Sequence, residues 1–105
     1  MPELKSSPTL SDFQKYVNDL EHERGFIDQT PKEKCLLLGE EVGELFKAVR
    51  KAEGIKIDPA SRVGELGAEL ADIFIYLCAI ANRYDIELEA AFRAKEETNK
   101  KRNWV

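Results

Sequence analysis

The chain has 105 residues and a net charge of −4, from 20 acidic and 16 basic side chains. This length predicts one domain with a modest core, and 43% hydrophobic with 34% charged residues is typical of a globular protein and excludes a disordered one. The acidic balance argues against a nucleic-acid partner, because proteins that bind phosphate backbones usually carry a basic face.

Four helices are predicted along the chain, after a loose tail over residues 1–8. The first begins at a cap on Thr9 or Ser11 and ends near Arg24, because Gly25 is a natural C-terminal stop. Its apolar residues recur at helical spacing and form one predicted buried stripe: Phe13, Tyr16, Val17 and Leu20.

The second predicted helix has a complete start signal. Thr30, Pro31 and Glu33 stand at the N-cap, first and third positions, where they supply the cap, a preset φ and the capping-box acid. The helix is expected to continue to about Glu53 and to end before Gly54.

A third helix is predicted from Asp58-Pro59 or Ser61 to Tyr84, and a fourth from about Glu87 to Arg102. No segment alternates between apolar and polar residues over a useful length, so no strand is predicted. The expected fold is therefore all-α and similar to a four-helix bundle, with residues 1–105 forming a single domain.

The two cysteines and the longest apolar run indicate in which cellular compartment the protein is expected. Cys35 and Cys78 both lie in apolar helical stretches, which predicts reduced core thiols in a cytoplasmic protein. The longest apolar run, from Ile73 to Ala81, falls far short of the roughly 20 residues that span a membrane. We therefore expect a cytoplasmic protein without a membrane partner.

Two acids of the second helix share a largely apolar face. At about 100° per residue, Glu44 lies about 60° from Glu41, Lys34 lies about 20° from it, and Glu40 points elsewhere. Taken alone, a Glu-x-x-Glu pair is usually a solvated helix face.

The third helix repeats this spacing in more apolar surroundings. Residues 70–81 contain a single charge, Asp72, in a stretch that is apolar on every face and is therefore expected to be buried. Glu69 lies one turn earlier on the same side, and like charges this close raise a carboxylate pKa or require a cation. A lone core aspartate capped by Tyr76 is the alternative.

Packed antiparallel, the two helices would place four carboxylates around one point: Glu41, Glu44, Glu69 and Asp72. All-oxygen ligation favours Mg²⁺, with Mn²⁺ as a substitute. Zinc is disfavoured because His22 is the only histidine and neither cysteine has metal-ligand spacing. The GxxxxGK(S/T), GxGxxG and HExxH motifs are absent, so any chemistry is expected to depend on a metal ion.

Glycines flank both acid pairs: Gly39 and Gly43 in the second helix, Gly64 and Gly67 in the third. An interior glycine costs a helix up to ~1 kcal/mol relative to alanine. The two pairs therefore predict either close helix approach or room for a ligand beside the metal.

One face of the fourth helix is apolar in its first half and polar in its second half. Its predicted core stripe is Leu88, Ala91 and Phe92. The same face continues through three polar residues: Lys95, Asn99 and Arg102. Such a face suits an anion such as a phosphate chain, while cations that complement the helix dipole are the alternative.

Glu40-Glu41-Val42-Gly43-Glu44, followed after 24 residues by Glu69-Leu70-Ala71-Asp72, resembles the EExxE…ExxD signature of MazG-type nucleotide pyrophosphohydrolases. The downstream residues fit as well: Lys95, Asn99 and Arg102. The resemblance covers roughly residues 9–104. One departure is Asn103-Trp104, where relatives often have Tyr-Pro.

The resemblance implies an all-α enzyme that uses Mg²⁺ to hydrolyse nucleoside triphosphates, often deoxy forms, to the monophosphate and pyrophosphate. Such enzymes often serve in house-cleaning of the nucleotide pool. The resemblance makes the four acids the catalytic metal ligands and makes the fourth-helix residues phosphate ligands, and Lys34 is a further predicted substrate-binding residue. Two alternatives stay open: a non-catalytic nucleotide- or metal-binding oligomerisation module, and a phosphoribosyl-ATP pyrophosphohydrolase.

A homo-oligomer, dimer or tetramer, is predicted from the third helix as well as from the resemblance. A four-helix chain of this length covers only part of an apolar helix, which leaves four residues short of partners: Ile73, Phe74, Leu77 and Cys78.

Overall fold

The computed structural model of the chain describes residues 1–104, which form four helices and no strand. The helices are α1 (Leu10–Arg24), α2 (Pro31–Ala52), α3 (Leu66–Arg83) and α4 (Leu88–Lys100). The predicted all-α class is therefore confirmed. Over the same residues, no helix is long and apolar enough to cross a membrane.

The helices belong to two compact units. The central unit is Gln29–Ile80, and the terminal unit is Met1–Asp28 together with the described residues from Ala81 onward. The α3 helix begins in the central unit and ends in the terminal unit. That the chain is one domain stays a prediction.

Both ends of α1 lie where the sequence predicts them. The Thr9 hydroxyl accepts a hydrogen bond from the Asp12 backbone N–H at 3.2 Å, and the Asp12 carboxylate accepts one from the Thr9 backbone N–H at 2.8 Å. The bond from the Thr9 backbone lowers the pKa of Asp12 below its usual value. Gly25 ends the helix in the left-handed region, with φ of 76°.

The start of α2 also follows its predicted signal. The Thr30 hydroxyl accepts from the Glu33 backbone N–H at 3.1 Å, and Pro31 occupies the first helical position. The helix ends at Ala52, one residue before the predicted end, and Gly54 follows with φ of 71°.

The predicted start of α3 at Asp58-Pro59 or Ser61 is wrong, because the helix begins at Leu66. The Asp58 carboxylate accepts from the Ala60 backbone N–H at 2.9 Å, and the Asp58 carbonyl accepts from the Ser61 backbone N–H at 2.9 Å. These bonds make Asp58 the first residue of a turn, which competes with a helix start at this residue.

The burial of α3 is also less complete than predicted. Cys78 and Ala79 are buried, but Leu70 and Leu77 are 51% and 44% exposed, and Asp72 is exposed. The expectation that Asp72 is a buried charge is therefore wrong for the single chain. One chain does not supply enough neighbours to cover a helix that is apolar around its circumference.

The two cysteines differ in their surroundings, although both are free thiols. Cys78 is fully buried, so the prediction that one chain leaves it short of partners is wrong, and this burial raises its pKa to about 11. Cys35 was predicted to lie in the core, but it is exposed on α2.

The predicted core stripe of α4 is not buried. Phe92 is 67% exposed, Ala91 is exposed and Leu88 is half-buried, and no residue of α4 is buried. Only α1 has a substantial contact with α4 among the described residues, so the helix lies on one neighbour and is not enclosed by several.

The interior of the terminal unit contains polar residues that the stripe on α1 did not include. Glu21 is 2% exposed, and its carboxylate receives two hydrogen bonds of 2.8 Å from the Arg83 guanidinium. Gln14 donates to Asn82 at 3.0 Å and accepts from the Leu88 backbone N–H at 2.9 Å. Gln14 and Glu21 lie at helical spacing from Val17, and this spacing could have predicted that both share the buried face of α1.

Candidate metal centre

Three carboxylates of the central unit lie together. One oxygen each from Glu41 on α2, and from Glu69 and Asp72 on α3, lie within 4.8 Å of one another. The structure thus brings together three of the four predicted acids. The i, i+3 spacing of Glu69 and Asp72 directs both side chains to one side of α3, where Glu41 meets them.

The surroundings of these carboxylates disfavour three bare negative charges. Glu69 is buried at 9% exposure, Glu41 is half-buried and Asp72 is open to solvent. Burial raises the pKa of Glu41, and the neighbouring Asp72 and Glu69 carboxylates raise it further. A bound cation would relieve this repulsion, and the oxygen donors match those that Mg²⁺ and Mn²⁺ take. The residues therefore fit a hard divalent cation.

Glu44 lies one turn after Glu41 but outside the group of three. Its Oε1 atom is 3.5 Å from Lys47 Nζ, and its charge also contributes to the raised pKa of Glu41. Glu40 is exposed and does not belong to the group, as expected from its position on the helical wheel.

Lys34 is buried at 4% exposure, and its ammonium nitrogen is 5.2 Å from the centroid of the Tyr76 ring. This contact joins α2 to α3 within the central unit. Direct contact of Lys34 with a substrate stays a prediction.

The three predicted phosphate ligands belong to the terminal unit. Lys95 is exposed, and the half-buried Asn99 donates from its amide to Glu96 at 2.9 Å. Arg102 lies beyond the end of α4, with its guanidinium carbon 4.9 Å from the centroid of the Trp104 ring.

Among the described glycines, Gly64 is the one at which an added Cβ atom would meet another residue within 4 Å, and that residue is Glu69 of the centre. A Cβ atom at Gly64 would overlap the carboxylate oxygen Oε1 of Glu69, whereas a Cβ at the other three would meet nothing within 4 Å: Gly39, Gly43 and Gly67. The predicted close helix approach is therefore absent at these three. The sequence placed Gly64 within a helix and gave no sign of its contact with Glu69.

Comparison with known proteins identifies the family. The MazG nucleotide pyrophosphohydrolase domain matches residues 29–104, a range that contains all the predicted acids and the three predicted phosphate ligands. The chain belongs to this family. The predicted resemblance is confirmed, and the comparisons support nucleotide pyrophosphohydrolase activity as the class of reaction.

Individual relatives agree with this assignment. The uncharacterised protein YvdC of Bacillus subtilis is 30% identical over 100 residues, which cover 89% of this chain and 94% of YvdC. Mouse dCTP pyrophosphatase 1 is 33% identical over 100 residues, covering 90% of this chain but only 59% of the mouse protein. The chain therefore spans less than two thirds of that enzyme.

A solved structure shares the fold of this MazG chain. The crystal structure of iMazG from Vibrio DAT 722 matches with a TM-score of 0.64 and 29% sequence identity. The match covers 92% of this chain and 99% of the Vibrio chain. The all-α MazG fold is thus confirmed.

Proposed function

We propose that this chain hydrolyses nucleoside triphosphates, including deoxy forms, to the nucleoside monophosphate and pyrophosphate with a divalent cation, Mg²⁺ or Mn²⁺. The cation would be held by the predicted acids: Glu41, Glu44, Glu69 and Asp72. The observation that carries the proposal is the approach of three of these carboxylates to within 4.8 Å in a chain of the MazG family.

The carboxylates would have two roles in this reaction, which are to hold the cation and to accept a proton. When bound, the cation offsets the charge of the triphosphate and makes the attacking water more acidic. One carboxylate of the set accepts the proton of that water as it attacks the α-phosphorus. The bond between the α-phosphorus and the bridging oxygen to the β-phosphorus then breaks, and pyrophosphate leaves in line.

The substrate set is proposed to include dCTP, because mouse and bovine relatives are dCTP pyrophosphatases. A role in removing unwanted nucleotides would follow from such activity. The alternatives are phosphoribosyl-ATP hydrolysis and a non-catalytic module that binds metal or nucleotide. The same four acids would serve either alternative.

A panel of nucleotides tests this proposal. The full chain is incubated with each of the four dNTPs, the four NTPs and phosphoribosyl-ATP, with Mg²⁺ or with EDTA, and pyrophosphate is measured. We expect Mg²⁺-dependent pyrophosphate release from dCTP among the dNTPs. Release from phosphoribosyl-ATP alone would support the first alternative, and release from no nucleotide would support the non-catalytic module.

Three polar residues of the terminal unit, two of them basic, are proposed to bind the phosphates: Lys95, Asn99 and Arg102. A chain of net charge −4 needs local cations to hold a polyanion, and lysine and arginine donate charge-assisted hydrogen bonds to phosphate. Because the stripe before Lys95 is exposed in the single chain, this proposal rests on the family pattern and on the helical spacing of Lys95 and Asn99.

Lys95→Ala is expected to weaken triphosphate binding more than monophosphate binding. Losing one hydrogen bond between charged groups costs about 1.5–3 kcal/mol, which corresponds to roughly tenfold or more in affinity. Calorimetry with dCMP and with a non-hydrolysable dCTP analogue measures the difference.

Lys100→Ala is the matched control, because Lys100 lies on another face of α4 and pairs with Glu97 at 3.0 Å. It should leave both affinities unchanged. An equal loss for the two nucleotides in Lys95→Ala, or no loss, would remove Lys95 from the phosphate site.

We also propose that the chain forms a homo-oligomer, a dimer or a tetramer. Leu66, Leu70 and Leu77 share one face of α3 at helical spacing, and all three are exposed. An exposed apolar stripe of this kind usually marks an interaction surface, and a second copy of the chain would cover it with matching apolar residues.

Sedimentation equilibrium of the full chain at micromolar concentration tests the proposed assembly. We expect a mass of at least two chains, and we expect Leu77→Lys to lower it because a charge would then enter the apolar interface. A stable, folded monomer of 12.0 kDa would contradict the proposal.

A further inference from the structure

We infer that Gly64 is a positioning residue of the metal centre, because the absence of a side chain there leaves the space that the Glu69 carboxylate occupies. This inference rests on the proposed function, since it assigns Glu69 a place among the metal ligands.

Gly64 stands two residues before the first residue of α3, and Glu69 lies in the first turn of that helix. A Cβ atom at position 64 would overlap Oε1 of Glu69 and would lie only 3.2 Å from its carboxyl carbon. Both residues belong to the central unit. The backbone at Gly64 therefore lies directly beside the Glu69 carboxylate, one of the three in the cluster.

The backbone conformation does not explain why a glycine stands here. The described glycines with positive φ are Gly25 and Gly54, at 76° and 71°, and Gly64 is not among them. A positive φ, the usual conformational reason for a glycine, therefore does not apply at Gly64. The Glu69 carboxylate is the neighbour that an added methyl group would meet.

The loop that carries Gly64 is attached to the end of α2. Arg50 donates from its guanidinium to the Lys56 carbonyl at 2.7 Å, and the Ile55 backbone N–H donates to the Arg50 carbonyl at 2.8 Å. Further along, Val63 is half-buried. A methyl group at position 64 is expected to displace the end of the buried Glu69 side chain, which can turn about its own torsions, and not the loop.

A methyl group at position 64 is therefore expected to affect metal affinity strongly and stability little. Moving the end of one side chain costs the fold little. The same movement takes the Glu69 carboxylate out of the place where it meets Glu41 and Asp72. Metal sites lose affinity when the groups that orient their ligands are changed, typically by about 10–100-fold.

The test is Gly64→Ala in the full chain, with Mn²⁺ affinity measured by electron paramagnetic resonance and metal-free stability measured by thermal melting. We expect affinity to fall by about tenfold or more, with the metal-free melting temperature close to that of the wild type. A variant that fails to fold would contradict the inference, because the argument moves only a side chain.

Gly67→Ala is the matched control, since a Cβ at Gly67 meets nothing within 4 Å. It adds the same methyl group three residues away, on α3. We expect unchanged Mn²⁺ affinity and higher stability, because alanine favours helix more than glycine does. An equal loss of affinity in both variants would overturn the role assigned to Gly64.

A double-mutant cycle with Glu69→Asp separates action through Glu69 from any other effect. The aspartate side chain is shorter and does not reach the space that a Cβ atom at position 64 would fill. Gly64→Ala should therefore change the Mn²⁺ affinity much less in the Glu69→Asp background. An effect of full size there would overturn the inference. Wild-type chain that binds no Mn²⁺ would refute the proposed function and this inference together, whereas wild-type and Gly64→Ala chains with equal affinity would refute the inference alone.

Discussion

Asp72→Asn is expected to abolish triphosphate hydrolysis and to leave the chain folded. Asparagine keeps the shape of the side chain but removes one of three carboxylates that meet within 4.8 Å. If the cation contributes several kcal/mol to the transition state, a loss of only ~3 kcal/mol lowers the rate by about a hundredfold. The Asp72 charge also raises the pKa of Glu41, so its removal should relieve repulsion in the metal-free chain.

Turnover of dCTP with Mg²⁺ and thermal melting without metal measure the two effects of Asp72→Asn. The matched control is Asp28→Asn, which removes an exposed carboxylate outside the group. Near wild-type turnover in Asp72→Asn would show that the site is wrongly assigned. A clear fall in its metal-free melting temperature would contradict the argument from repulsion.

Glu21→Ala is expected to destabilise the chain strongly, without any direct contact with the proposed substrate. Glu21 is 2% exposed, and the side chain of Arg83 is 9% exposed. Removing one partner of a buried pair typically costs about 3–5 kcal/mol, because the remaining charge loses its counter-ion. That is a large part of the total stability of a small domain, which is about 5–15 kcal/mol.

Urea unfolding at one fixed protein concentration measures this loss, because self-association makes stability depend on concentration. Glu23→Ala serves as the control, since Glu23 is exposed on the same helix and exposed charges contribute only about 0–1 kcal/mol. Replacing Glu21 and Arg83 together by methionine should restore much of the stability. If Glu21→Ala and Glu23→Ala shift the midpoint equally, the buried pair does not stabilise the chain.

The features that could be predicted from the sequence depend on local signals. The caps at Thr9 and Thr30 and the stop at Gly25 are read from residues a few positions apart, and the structure has all three. The meeting of Glu41 with Glu69 and Asp72 followed from their spacing and from packing α2 against α3. The resemblance to the family motif then predicted the fold and the class of reaction over roughly residues 9–104.

The features that were missed depend on contacts between residues far apart in the chain, or on competing local bonds. Glu21 and Arg83 are 62 residues apart, and periodicity does not pair them. An aspartate at position 58 predicts a helix start because its side chain can cap a helix, but in the structure it accepts from the Ala60 backbone N–H and closes a turn. Asp72 was expected to be buried because its neighbours are apolar, yet one chain leaves that part of α3 open.

Manganese binding by two neighbouring variants tests the central claim, that Glu41 belongs to a cation site, most directly. Glu40 and Glu41 are adjacent glutamates of the same helix, and only Glu41 lies with Glu69 and Asp72. The full chain and the variants Glu40→Gln and Glu41→Gln are titrated with Mn²⁺ under electron paramagnetic resonance. We expect the wild type and Glu40→Gln to bind Mn²⁺ equally and Glu41→Gln to lose binding. Equal binding by the two variants, or no binding by the wild type, would contradict the claim.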